Sequence, residues 1–118
     1  MTPFNEDWRI FNIEKNKPTV AEARKLLLDE ISRAKRDFVT ALILIHGYGS
    51  HGVGGRLKIE LTKQLYAWKS QKFITDFVPG ERWSETDRTS LRILSECPGL
   101  ELDPDLNRRN LGITIVLL

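Results

Sequence analysis

The sequence predicts a two-layer α/β domain with a mixed four-stranded sheet in the order βαβαββ and a short extra helix before the last strand. Three observations carry that expectation. Val39 to Ile45 (VTALILI) is almost wholly apolar without alternation, the pattern of a strand covered on both faces. The stretch before it has helical periodicity and opens on a capping box, and the chain closes on a second apolar run, Gly112 to Leu118 (GITIVLL).

Taken in order, a loose N-terminal segment from Met1 ends at Asp7, and Trp8 to Glu14 (WRIFNIE) alternates well enough for a short strand. Lys15 to Pro18 turns the chain. Thr19 with Glu22 three residues on starts a helix that runs to about Arg36, with Val20, Ala23, Leu27, Ile31 and Ala34 on one face and an Asp29 to Arg33 pair on the other. After the apolar strand and a glycine-rich loop, a second helix from about Arg56 to Lys69 repeats Leu57, Leu61, Leu65 and Trp68. Phe73 to Val78 reads as a third strand ended by Pro79-Gly80. Ser84 with Asp87 caps a short helix through Leu94, stopped by Pro98-Gly99, and Leu100 to Asn110 is an acidic, then basic, loop.

A chain of 118 residues is one domain, and its hydrophobic and charged fractions are ordinary for a globular protein. Neither a signal peptide nor a run long enough to span a bilayer is visible, so the expected location is the cytoplasm and no membrane partner is expected. The single cysteine, Cys97, makes no internal disulfide and reads as a small buried hydrophobe at a helix end. The net charge of +2 is unevenly spread. Arg56, Lys58, Lys63, Lys69 and Lys72 face one acid, Glu60, in their segment, whereas Glu81 to Asp105 is acidic. A positive segment beginning where the loop ends suits a polyanion; the plainer alternative is a solvated helix face.

That loop holds the candidate chemistry. His46 and His51, the two histidines of the chain, lie among Gly47, Gly49, Gly52, Gly54 and Gly55 between a strand and a helix start. Glycines let the backbone approach a ligand, and a helix N-terminus presents unpaired N–H groups and a positive dipole end, a setting that favours phosphate. Imidazole titrates near neutrality, so His46 suits phosphate contact or general acid/base work; the plainer alternative is a strand-end histidine bonded to a neighbouring carbonyl. Gly47, Gly49 and Gly52 satisfy a dinucleotide fingerprint, but no acid ends the following strand. A Walker A loop fails because Gly55-Arg56 stands where Lys and Ser or Thr belong.

His46-Gly47-Tyr48-Gly49 followed by Gly55-Arg56-Leu57-Lys58 resembles the HGxG…GxL(R/K) loop of the small MutS-related (Smr) domain family. Thr19 to Ala23 resembles the start of that family's first helix, and Gly112 to Leu117 its closing strand, so the likeness spans about Arg9 to Leu118. The resemblance implies a fold like the C-terminal domain of translation initiation factor 3 and binding to DNA or RNA, with metal-assisted or metal-independent endonuclease activity in some members. Two departures stand out. Asn12 and Glu14 occupy the places of the Asp and His of the family's first-strand signature, and His51-Gly52-Val53-Gly54 lengthens the loop. Glu14 could accept a proton or hold a metal ion; Asn12 is no base.

The sequence thus predicts a nucleic-acid-binding domain with weak phosphodiester hydrolysis at most. His46 and Glu14 are the candidate catalytic groups. Gly47, Gly49 and Gly55 are the phosphate cradle, Arg56 and Lys58 are counter-charges, and His51 and Gly54 are further phosphate contacts; Tyr48 suits stacking on a base, and the plainer alternative is a solvent-exposed loop tyrosine. No metal ligands are assigned; a metal-assisted route would use Mg or Mn, and a metal-independent one neither. The alternatives are a small-molecule phosphate or nucleotide binder and a protein-interaction module with a purely structural loop.

Overall fold

The computed structural model describes residues 7–48 and 53–118. They form β1 (Trp8–Asn12), α1 (Val20–Arg36), β2 (Ala41–Ile45), α2 (Val53–Ser70), β3 (Asp76–Pro79), α3 (Arg88–Glu96) and β4 (Ile113–Leu117), with short 3-10 turns at Gly80–Arg82 and Pro98–Leu102. The strands make one mixed sheet in the order β1-β2-β4-β3. β1 runs parallel to β2 through the α1 crossover, and β4 lies antiparallel between β2 and β3. The expected α/β architecture is the observed one.

Residues of β2 alternate between two cores, and this explains why the strand is apolar at every position. Leu42 and Leu44 face α1 and α2, which bring Ala23, Leu27, Ile31, Leu57, Leu61 and Leu65. Ala41 and Ile43 face the opposite way and are covered by Trp83, Ile93, Leu94, Cys97, Leu100 and Leu106 from the segment between β3 and β4. Cys97 is buried at the C-cap of α3, as read from the sequence. No helix among the described residues is long and apolar enough to cross a membrane.

The first helix starts where the capping box places it. Thr19 Oγ1 accepts the Glu22 N–H at 3.2 Å, and Glu22 Oε1 accepts the Thr19 N–H at 2.8 Å. On its outer face Arg33 pairs with Glu30 at 3.4 Å, not with Asp29. α2 begins at Val53, earlier than expected, so Gly54 and Gly55 belong to its first turn and not to the loop. A β-carbon on Gly55 would stand 3.0 Å from the Tyr48 carbonyl oxygen, and this close approach accounts for glycine inside a helix.

Two further boundaries differ from expectation. β3 starts at Asp76 because the preceding residues close α2: Lys72 takes a left-handed φ of 62°, and the Phe73 N–H donates to the Trp68 carbonyl at 2.9 Å. Pro79 sits at the end of this edge strand, where a missing N–H costs no ladder bond. α3 is capped by Asp87, whose carboxylate accepts the Ser90 N–H at 2.9 Å; Ser84, the other candidate, instead donates its N–H to Ser90 Oγ at 3.2 Å. Trp83 is thereby drawn into the second core, its Nε1–H satisfied by Asp103 at 2.8 Å.

Candidate functional site

The chain leaves β2 beside the C-terminal end of the parallel strand β1, the end where open α/β sheets place their ligands. The N–H groups of His46 and Gly47 both donate to the Gly112 carbonyl, each at 3.0 Å, which ties the end of β2 to the start of β4. Gly47 has φ +69°, and the Glu14 carboxylate lies where its β-carbon would be. Glycine is therefore demanded twice, once by the backbone and once by Glu14. Because its N–H is spent on Gly112, Gly47 contributes no donor to an anion cradle.

His46 is buried, 1 % exposed, and both ring nitrogens are engaged. Nδ1 lies 2.6 Å from the Gly47 carbonyl oxygen. A carbonyl only accepts, so Nδ1 carries the proton, and Nε2 accepts the Thr114 hydroxyl at 2.9 Å. Burial is the main cause that holds this imidazole below its ordinary pKa; the Gly47 carbonyl pulls the other way, and Lys58 adds to the depression. The neutral ring braces β2 against β4. It is turned away from any phosphate that could approach from solvent.

Glu14 owes its position to Asn12. The Asn12 Oδ1 accepts the N–H groups of Glu14 and Lys15, both at 3.1 Å, in an Asx turn that folds the chain back over the end of β2. The residue that replaces the expected Asp thus shapes the backbone and does no acid/base work. Glu14, Gly47 and Tyr48 meet Asp105, Asn110 and Gly112 around an open groove of about 370 Å³. Asn110 closes its far side, its Nδ2 donating to Asp105 at 3.1 Å and its Oδ1 accepting the Gly112 N–H at 2.8 Å. Tyr48 is half exposed at 54 %, and its Cδ1 would stand 3.6 Å from a β-carbon on Gly112, so the ring rests along that backbone.

Of the charges expected to face a polyanion, Arg56 is exposed in the first turn of α2, a turn with no acidic residue. Lys58 points elsewhere: its Nζ pairs with Glu81 at 2.8 Å, half-buried. Burial raises the Glu81 carboxyl, but the Lys58 hydrogen bond and charge outweigh it and leave the group below the usual range. Lys63 pairs with Glu60 at 3.0 Å and Lys69 with Asp76 at 2.9 Å. The positive segment seen in sequence is in large part balanced by acids, two of them brought in by the fold.

Gly49 and His51, two of the expected loop contacts, lie outside the described residues, as does Gly52 of the dinucleotide fingerprint. Gly54 and Gly55 stand in the first turn of α2, where N–H groups have no intrahelical partner. Among the described residues no group of three His, Cys, Asp or Glu side chains could hold a metal ion. Asp105 and Asn110 were not expected in the site, since only the antiparallel return of β4 brings their loop beside Gly47. A second open groove, about 430 Å³, lies between Arg82, Ser84, Asp87, Asn107 and Arg109, and its one sequence signal is the polar loop ending at Asn110. No family model matches this chain, and no curated protein or solved structure matches it either.

Proposed function

We propose that this chain is an Smr-like nucleic-acid-binding domain of the cytoplasm that holds a backbone phosphate at the start of α2 and hydrolyses phosphodiesters weakly at most. One observation carries the reading. The first turn of α2 contains Gly54, Gly55 and the exposed Arg56, has no acid in it, and packs against the Tyr48 backbone at the ligand-facing end of the sheet. A helix start with such a turn attracts phosphate, and a half-exposed aromatic ring beside it offers a stacking face. Glu14 is the ionisable group of the expected pair that faces solvent, because His46 is committed to Gly47 and Thr114. Hydrolysis without a positioned base loses about 10²–10⁴-fold in rate.

Fluorescence anisotropy of labelled single-stranded and duplex DNA and RNA across a salt series tests this reading. A polyanion partner gives a steep fall of affinity with salt, and Arg56→Ala should reduce the log–log slope by about 0.7 on single strands and about 0.9 on duplex DNA. An affinity indifferent to salt, or a slope that Arg56→Ala leaves unchanged, refutes the assignment of the phosphate to α2.

A further inference from the structure

The groove beside Tyr48 has the wrong charge for phosphate. Its charged lining is two carboxylates, Glu14 and Asp105, and Lys58, a basic residue of the resembled motif, is turned away to Glu81. A polyanion passing the start of α2 would be repelled from this recess, whereas a group that donates hydrogen bonds would be drawn into it. The same recess has an aromatic wall in Tyr48 and an apolar floor in Ile45 and Ile113. Its volume of about 370 Å³ is within the range of small-molecule sites.

From this combination we infer that the Glu14–Tyr48–Asn110 groove receives one unstacked nucleobase, guanine in preference to the others, from a single strand whose phosphate is held at α2. The inference rests on the nucleic-acid reading above. A flat ring system stacks on Tyr48, and its edge is then presented to the Glu14 carboxylate. Among the described residues that carboxylate rests against Gly47 and has no hydrogen-bond or ion-pair partner, while Asp105 and Asn110 are already bonded to each other.

Guanine follows from the geometry of donors. Its Watson–Crick edge offers two parallel N–H groups, N1–H and N2–H, which match the two oxygens of one carboxylate. Cytosine and adenine each present one amine next to a ring-nitrogen acceptor. Thymine and uracil present one N–H between two carbonyls, which would face the carboxylate repulsively. That edge is available only in an unpaired base, so the pocket also selects single strands, loops or bulges over continuous duplex.

The test uses the full chain and fluorescein-labelled dT 12-mers that carry a single central dG, dC or dA, with all-dT as reference. The dG oligomer should bind about ten-fold more tightly than all-dT, a typical effect for one bidentate base contact. Glu14→Gln, which exchanges one acceptor for a donor at constant size, should abolish that preference and raise the all-dT affinity, because the charge that repels thymine's carbonyls is gone. Tyr48→Ala should weaken every oligomer, and circular dichroism should show both variants folded. Equal affinity for all four oligomers, or a dG preference that survives Glu14→Gln, overturns the base pocket alone. Absence of salt-sensitive binding to any oligomer overturns it together with the nucleic-acid reading.

Discussion

His46 shows how a single side chain can carry a motif yet serve the fold. Its depressed pKa makes stability depend on pH in one direction. Above its ordinary value of 6.5 the ring is neutral in both the folded and the unfolded chain and contributes no pH dependence. Below 6.5 the unfolded chain takes the proton while the folded one resists it, so stability falls with pH until the folded pKa is reached. Urea unfolding between pH 8 and pH 5 should show this loss. His46→Gln should flatten its histidine component and also lower stability at pH 8 by about 1–3 kcal/mol, because the Thr114 hydroxyl and the Gly47 carbonyl lose well-placed partners. A wild-type stability that rises as pH falls from 7 to 5.5 would contradict the buried neutral ring.

Gly47 allows a sharper test at the same scale. Gly47→Ala meets both a left-handed backbone and the Glu14 carboxylate, and strain of that kind costs about 1–3 kcal/mol. In Glu14→Ala the collision is removed and the backbone strain remains, so Gly47→Ala should cost less there than in the wild type. Measured by chemical denaturation, a double-mutant cycle with zero coupling would show that Glu14 does not lie over Gly47.

At the scale of elements, α2 is held to the β3–β4 segment by the Lys58–Glu81 pair. Lys58→Ala should destabilise the domain by roughly 1 kcal/mol, the upper end for partly exposed pairs, because it also removes a mostly buried aliphatic stem. Since Lys58 points to Glu81, this substitution should change the salt slope of binding less than Arg56→Ala does. An equal effect on the slope would mean that Lys58 leaves Glu81 to meet the ligand.

What could be read in advance divides along the same line between local and distant causes. The α1 cap was legible because Thr19 and Glu22 satisfy one another three residues apart. The doubly covered β2 was legible because every one of its side chains is apolar. The α3 start was not, because Ser84 and Asp87 are both good caps and the burial of Trp83 decides between them. Nor was the commitment of His46, whose partner Thr114 lies 68 residues away, or the entry of Asp105 and Asn110 into the groove. The pairing of the basic run after the loop was not legible either, because two of its partners, Glu81 and Asp76, belong to other elements.

At the scale of the whole molecule, the groove draws on three stretches far apart in the chain: the turn after β1, the exit from β2, and the approach to β4. The two N–H groups that share the Gly112 carbonyl join two of these stretches, and the antiparallel pairing of β2 with β4 continues from that point. No one of these segments can present the groove alone, so a ligand seated there binds the folded chain and has no counterpart site on the unfolded one. Occupancy then adds directly to the unfolding free energy. At a free oligonucleotide concentration 100-fold above Kd the gain is about 2.7 kcal/mol, enough to raise Tm by roughly ten degrees in a domain of this size. Differential scanning calorimetry should show a single transition that moves upward as a whole with oligonucleotide concentration. A transition that splits, with one part unmoved, would mean that the groove opens without the rest of the fold. In that sense the Gly112 carbonyl ties the forming of the groove to the folding of the sheet.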